Sequence, residues 1–95
     1  MNAANIPMGL FQLGILVATT NAMRTLTHEE MIAALRRHHS GDWGDLTDAD
    51  KAANNTALVD GSRILSIYHT ANGTSFWIIT EADRSVTTVL LPEDY

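Results

Sequence analysis

Cysteine is absent from the 95-residue chain. Disulfides, thiolate metal sites and cysteine nucleophiles are therefore all excluded. Basic residues are also few: six Lys and Arg stand against eleven Asp and Glu, for a net charge of -5, and Arg36-Arg37 is the only basic pair. Binding nucleic acid through its phosphates needs a basic stripe, because counterion release drives that affinity. A direct nucleic-acid reader is not expected. The acidity is too mild for imitation of a DNA duplex along the whole length, so mimicry by one patch is the most it supports. Long apolar runs are missing as well. The stretch Met8 to Ala18 contains Gln12, is too short to span a bilayer, and has no basic segment before it of the kind a signal peptide carries. The expectation is a cytoplasmic protein with no membrane partner.

What is present is an ordinary globular balance, 45% apolar and 18% charged. At this length it suits one domain, residues 1–95, with one core. Phe11 to Thr19 is apolar and β-branched around Gly14 and reads as a strand, followed by a helical turn or loop over Asn21 to Leu26. Thr27 and Glu30 form a capping box flanked by the hydrophobic staple pair Leu26 and Met31. Met31, Ile32 and Leu35 continue one face, Arg36 and Arg37 suit the negative end of the helix dipole, and Gly41 is a stop. The spacing predicts a helix over 28–39. Thr47, Asp48 and Asp50 start a second helix that runs to Gly61, with a face made mostly of alanine.

The last third is strand-like. Arg63 to Thr70 and Ser75 to Thr80 flank Asn72-Gly73, which suits a two-residue type I′ turn. In that register His69 faces Phe76, Ile67 faces Ile78 and Leu65 faces Thr80, while Tyr68 faces Trp77 and Ser66 faces Ile79 on the other side. Val86 to Leu91 supplies a further strand that Pro92 ends. The expected fold is α+β in the order β-α-α-β-β-β, with two helices packed on one face of a mainly antiparallel four-stranded sheet. The face bearing Tyr68, Trp77 and Ile79 then lacks a lid. It is either an interface or covered by Met1 to Leu10.

The densest chemistry is Arg36-Arg37-His38-His39-Ser40-Gly41-Asp42-Trp43-Gly44-Asp45. Adjacent helical histidines point about 100 degrees apart and do not chelate one ion together. One of them with Asp42 would be the metal-dependent hydrolase or nuclease alternative. The plainer reading closes the core with one histidine. Asp42 and Asp45 suit Asx turns between the helices, and Trp43 suits either an anchor for that turn or a hot spot for a partner. Glu81, Asp83 and Arg84 sit together after Thr80 and suit an ion pair in a polar turn. Serines 40, 62, 66, 75 and 85 have no base partner evident in the sequence, and nothing matches a phosphate loop, a nucleophile elbow or a dinucleotide fingerprint. No catalytic residue, metal or cofactor is expected.

The stretch Gly41-Asp42-Trp43-Gly44-Asp45-Leu46 and the block from Trp77 to Tyr95 resemble a family of small proteins of plasmids, integrated elements and prophages. That family is often labelled plasmid-related, and some members are labelled a type I restriction methylase subunit. The resemblance spans roughly residue 13 to the end and is looser over Leu13 to Ala22, where Thr20 stands in place of an expected proline. The methylase label does not fit: such an enzyme needs a glycine-rich cofactor loop and a Pro-Pro motif, and the only prolines are Pro7 and Pro92. The resemblance implies a mobile-element setting and a non-enzymatic protein-binding factor. The specific expectation is a counter-defence inhibitor, anti-CRISPR or anti-restriction, that binds a nucleic-acid-binding host defence complex. Candidate partner-binding residues are Asp42, Trp43, Asp45, Asp48, Asp50, Tyr68, Trp77, Glu81 and Asp83. A homodimeric assembly module is a further alternative.

Overall fold

The computed structural model describes residues 9–95. Its elements run β1 (Ile15–Ala18), α1 (Thr20–Thr25), α2 (His28–His39), α3 (Asp48–Asp60), β2 (Ile64–His69), β3 (Ser75–Thr80) and β4 (Val86–Leu90), with a closing 3-10 turn at Pro92–Asp94. The α+β class is as expected, but the sheet is mixed. Its strand order is β1-β4-β3-β2, and β1 runs parallel to β4, Ile15 beside Val86 and Ala18 beside Val89.

The helix ends follow the local chemistry. Thr27 Oγ1 accepts from the Glu30 amide at 3.0 Å while Glu30 Oε1 accepts from the Thr27 amide at 2.8 Å, and at α3 Thr47 Oγ1 accepts from the Asp50 amide at 3.1 Å without a return bond. Gly61 ends α3 at φ +80°, a conformation that penalises a side chain. A third, six-residue helix, α1, forms where a helical turn or loop over Asn21 to Leu26 was expected; Thr19 caps it by accepting from the Ala22 amide.

α1 and α2 cover one sheet face. Ala22, Leu26, Ala34 and Leu35 pack there with Tyr68, Phe76, Ile78 and Val89. α3 meets that face only at its margin, where Ala57 packs with Ile64. It lies along the β2 edge, where Asn54 Nδ2 donates to the Leu65 carbonyl (2.6 Å) and Asn54 Oδ1 accepts from the Leu65 amide (3.2 Å), one side chain standing in for a neighbouring strand. Ala57, Leu46, Trp43 and Ile64 form a second apolar cluster beneath it.

The hairpin register differs by one residue from the two-residue turn. Thr70 N–H donates to the Thr74 carbonyl and Gly73 N–H to the Thr70 carbonyl, closing a three-residue loop with Gly73 at φ +90°. Tyr68 therefore faces Phe76, and Trp77 faces Ile67. Because side chains alternate across a strand, that single step separates Tyr68 and Trp77 onto opposite faces. β1 is also shorter than the expected strand from Phe11: Gly14 sits at φ +66° against the Ser85 backbone, and a Cβ there would lie 2.3 Å from the Ser85 carbonyl oxygen. Of the cover expected from Met1 to Leu10, residues 1–8 lie outside the described residues.

Candidate protein-binding surface

The link between α2 and α3 is built from the residues singled out in the sequence. Asp42 takes a fork of two bonds from Arg37, Nε at 2.7 Å and Nη2 at 3.2 Å, and accepts from the Gly44 amide at 3.3 Å as an Asx turn does. The bond from Arg37 holds the Asp42 carboxyl below its usual range, and Asp42 in turn raises Arg37. Asp45 meets His69 Nδ1 at 2.6 Å. Between them the backbone runs beside β2, with Ile67 N–H donating to the Trp43 carbonyl and Asp45 N–H to the Ile67 carbonyl. Only glycine permits this approach, since a Cβ on Gly44 would lie 1.9 Å from the Ile67 oxygen.

Trp43 belongs to the core. It is 4% exposed, lies between Phe11 and the His38 ring, and donates from Nε1 to Asn55 Oδ1 at 3.1 Å. Tyr68, 1% exposed, donates its hydroxyl to the Asp42 carbonyl at 2.6 Å beneath the Arg37 guanidinium. Burial among apolar neighbours pushes the Tyr68 hydroxyl up to about 12. As candidates for partner contact both are corrected: neither ring offers surface, because each is consumed by the packing of the α2–α3 link on β2.

The histidines do not assemble a metal site with Asp42. His38 is fully buried, with Nδ1 2.6 Å from Ser66 Oγ and Nε2 2.9 Å from Thr80 Oγ1. Thr87 Oγ1 donates to the Leu13 carbonyl at 2.7 Å, so it accepts from Thr80, Thr80 accepts from His38 Nε2–H, and Ser66 donates to the bare Nδ1. Every hydrogen in the relay is assigned when His38 is neutral. Burial, with a smaller contribution from His39, lowers it from 6.5 to about 3. The sequence showed no base for Ser66; the fold supplies one 28 residues away, sealed from any substrate. His39 Nε2 donates to the Phe11 carbonyl at 2.9 Å. Among the described residues no three His, Asp or Glu side chains gather as a metal site would require.

Arg84 also departs from expectation. Instead of an ion pair it donates to the carbonyls of Ala57 (2.9 Å) and Ser62 (2.7 Å), placing its positive charge at the negative end of α3. It adopts φ +60° to do so. Asp83 accepts from the Ser85 amide at 3.0 Å, and that contact and the Ser85 side chain hold it below its usual range.

Asp42 and Asp45 are exposed at this link, each already paired, and further groups reach the surface elsewhere. On the sheet face opposite α1 and α2, partly buried Trp77 stacks against Tyr95, ring centroids 5.4 Å apart. Arg63 lies over the Tyr95 ring at 5.5 Å and donates to its hydroxyl at 2.7 Å. The chain end is held in place by Asp94, which accepts from Thr19 Oγ1 at 2.6 Å and Asn21 Nδ2 at 2.7 Å. Ile64 pairs with Thr80, so Arg63 and Glu81 adjoin at the strand ends; Asp60, at the end of α3, and Asp83 are exposed in the two segments that Arg84 ties together. Asp48 and Asp50 are exposed at the other end of α3, about 18 Å away along a helix of this length. Tyr95 and Arg63 were missed in the sequence, where the last three residues look like a solvated acidic end; a terminal aromatic after two acids was the available signal. Comparison of the chain with protein-family models, curated proteins and solved structures finds no match.

Proposed function

We propose that this chain is a small non-enzymatic protein-binding factor of a mobile genetic element, and that it inhibits a host defence system by occupying a nucleic-acid-binding complex. The observation that carries the reading is the Trp77–Tyr95–Arg63 cluster on the sheet face away from the helices. Tryptophan, tyrosine and arginine are the residues most enriched where interfaces hold their energy, and an aromatic centre with a charged rim is how such surfaces are built. Glu81 follows β3 next to Arg63, and the end of α3 with Asp60 and the turn with Asp83 are tied together by Arg84, so three carboxylates stand against two guanidinium groups at that end of the sheet. A partner with a basic groove, such as a complex that grips DNA or RNA, is complementary to it. The mobile-element setting and the choice of a defence complex rest on the resemblance of the Trp77 to Tyr95 block.

Purified type I restriction and CRISPR effector complexes, challenged with the chain before their nucleic acid, test this directly. The expected result is a stable complex and loss of nucleic-acid binding, with Trp77→Ala weakening it by about 30-fold or more, as loss of a hot-spot tryptophan costs at least 2 kcal/mol. Failure of every such complex to retain the chain would overturn the proposal. The hydrolase alternative has no supporting geometry, since His38, His39 and Asp42 each face different partners.

A further inference from the structure

The two edges of the sheet are treated differently. β2 is sealed by Asn54 and by the backbone at Gly44, whereas β1 ends the strand order with no described residue paired on its outer side. Natural sheets guard such an edge with lysine, proline, a bulge or an inward charge. β1 has none of these: it is Ile-Leu-Val-Ala, with Ile15 70%, Leu16 51% and Val17 43% exposed. The surrounding surface is apolar too. Leu16, Val17, Met23, Met31 and Ile32 line an open depression of about 330 Å³ between β1 and the two helices that cover the sheet.

We propose that β1 pairs antiparallel with β1 of a second copy of this chain, joining two four-stranded sheets into one of eight. The backbone is already disposed for it. Ile15 and Thr19 turn their N–H groups toward β4, so the alternating residues Leu16 and Ala18 turn theirs outward. A two-fold axis through Val17 then sets Leu16 opposite Ala18 of the second copy and the reverse. Each pair exchanges two N–H···O=C bonds, and the side chains in each pair share a sheet face. This register engages both outward-facing residues of the strand in each copy.

Charge does not oppose a second copy. No Asp, Glu, Lys, Arg or His occurs before Arg24, so β1 itself sets no like charges against each other on the axis. Asp94 is bonded to Thr19 at one end of β1, and the two-fold places it beside the far end of the second strand rather than beside its own copy, while His28 lines the depression. A stable dimer covers about 800 Å² per subunit, more than four residues supply, so the depression beside β1 must take in Leu16 of the second copy, which lies on the helix-covered face.

Sedimentation and light scattering of the full chain test the pairing. The expected mass is twice 10.4 kDa. Val17→Lys, which opposes two like charges on the axis, should raise the dissociation constant by about 100-fold or more. Val59→Lys, on an 89% exposed position of α3, should leave it unchanged. Should Val17→Lys not fold, hydrogen exchange on the unaltered chain decides: the Leu16 and Ala18 amides are expected to slow as concentration rises. A monomer at every concentration, exchange at Leu16 and Ala18 that ignores concentration, or a dimer that Val59→Lys disperses as well as Val17→Lys would each overturn the proposal.

Discussion

His38 illustrates how one side chain can look like chemistry and act as structure. Its two nitrogens tie α2 to β2 and β3, and the relay through Thr80 and Thr87 reaches the Leu13 carbonyl ahead of β1. Five segments (α2, β2, β3, β4 and the stretch ahead of β1) are thereby fastened by hydroxyls and one imidazole, each with a partner. The fold holds His38 neutral down to about 3, while the unfolded chain takes up a proton below 6.5. The unfolded state binds more protons across that window, so stability is full above 6.5 and falls with acidification at up to about 1.4 kcal/mol per pH unit. The lowered Asp42 carboxyl acts in the same direction. Replacing His38 by Phe strands the Ser66 hydroxyl and should cost roughly 3 kcal/mol near neutral pH. It also removes the proton-linked slope, so urea unfolding curves for the variant and the parent should converge between neutrality and pH 4; a constant gap would contradict the neutral, sealed His38. That one histidine closes the core was legible from its position three residues after Leu35. Its partners were not, because Ser66 and Thr80 lie 28 and 42 residues away and nothing local points to them.

The elements divide the same way between local and distant causes. The capping box of α2, the Thr47 cap and glycine stop of α3 and the ends of α2 could be read directly, since each signal lies within four residues of what it controls. The hairpin could be read too, but its register could not. Asn72-Gly73 favours a two-residue turn on backbone grounds, but Thr74 Oγ1 and the Thr70 hydroxyl both donate to Asn72 Oδ1, and together they hold a three-residue loop. One residue of register then decides that Tyr68 is core and Trp77 is surface. The parallel pairing of β1 was equally hidden, because its partner lies 71 residues away and depends on Gly14 passing close to Ser85. Sealing of the β2 edge is the element-scale feature most open to test. Asn54→Ala leaves the Leu65 amide and carbonyl without their partner beneath α3, at a cost of roughly 2 kcal/mol. Asn54→Asp keeps the acceptor, loses the donor and sets a carboxylate against the Leu65 carbonyl, so it should not restore the loss. Chemical denaturation of the two variants measures this. Full stability in Asn54→Ala would mean that the Gly44 bridge alone seals the edge.

At the scale of the whole molecule, the uncharged and the charged surfaces lie toward opposite edges of one sheet. β1 is at one end of the strand order, and Arg63 with the exposed carboxylates of α3 is at the other, beside β2. Dimerisation through β1 would leave both copies of the Trp77–Tyr95 surface open, so the assembly would offer two binding faces. The two contacts should answer oppositely to salt. Association of two chains of net charge -5 is opposed by their mutual repulsion, which added salt screens over about 10 Å at 0.1 M, so the dimer should tighten as ionic strength rises. Binding of the acidic rim to a basic groove draws on attraction between opposite charges, so that complex should weaken over the same range, chiefly through a slower association rate. Measuring both constants on one preparation across a salt series separates the surfaces without any substitution. If both rise or both fall together, the division of the sheet into an uncharged assembly edge and a charged binding edge is wrong.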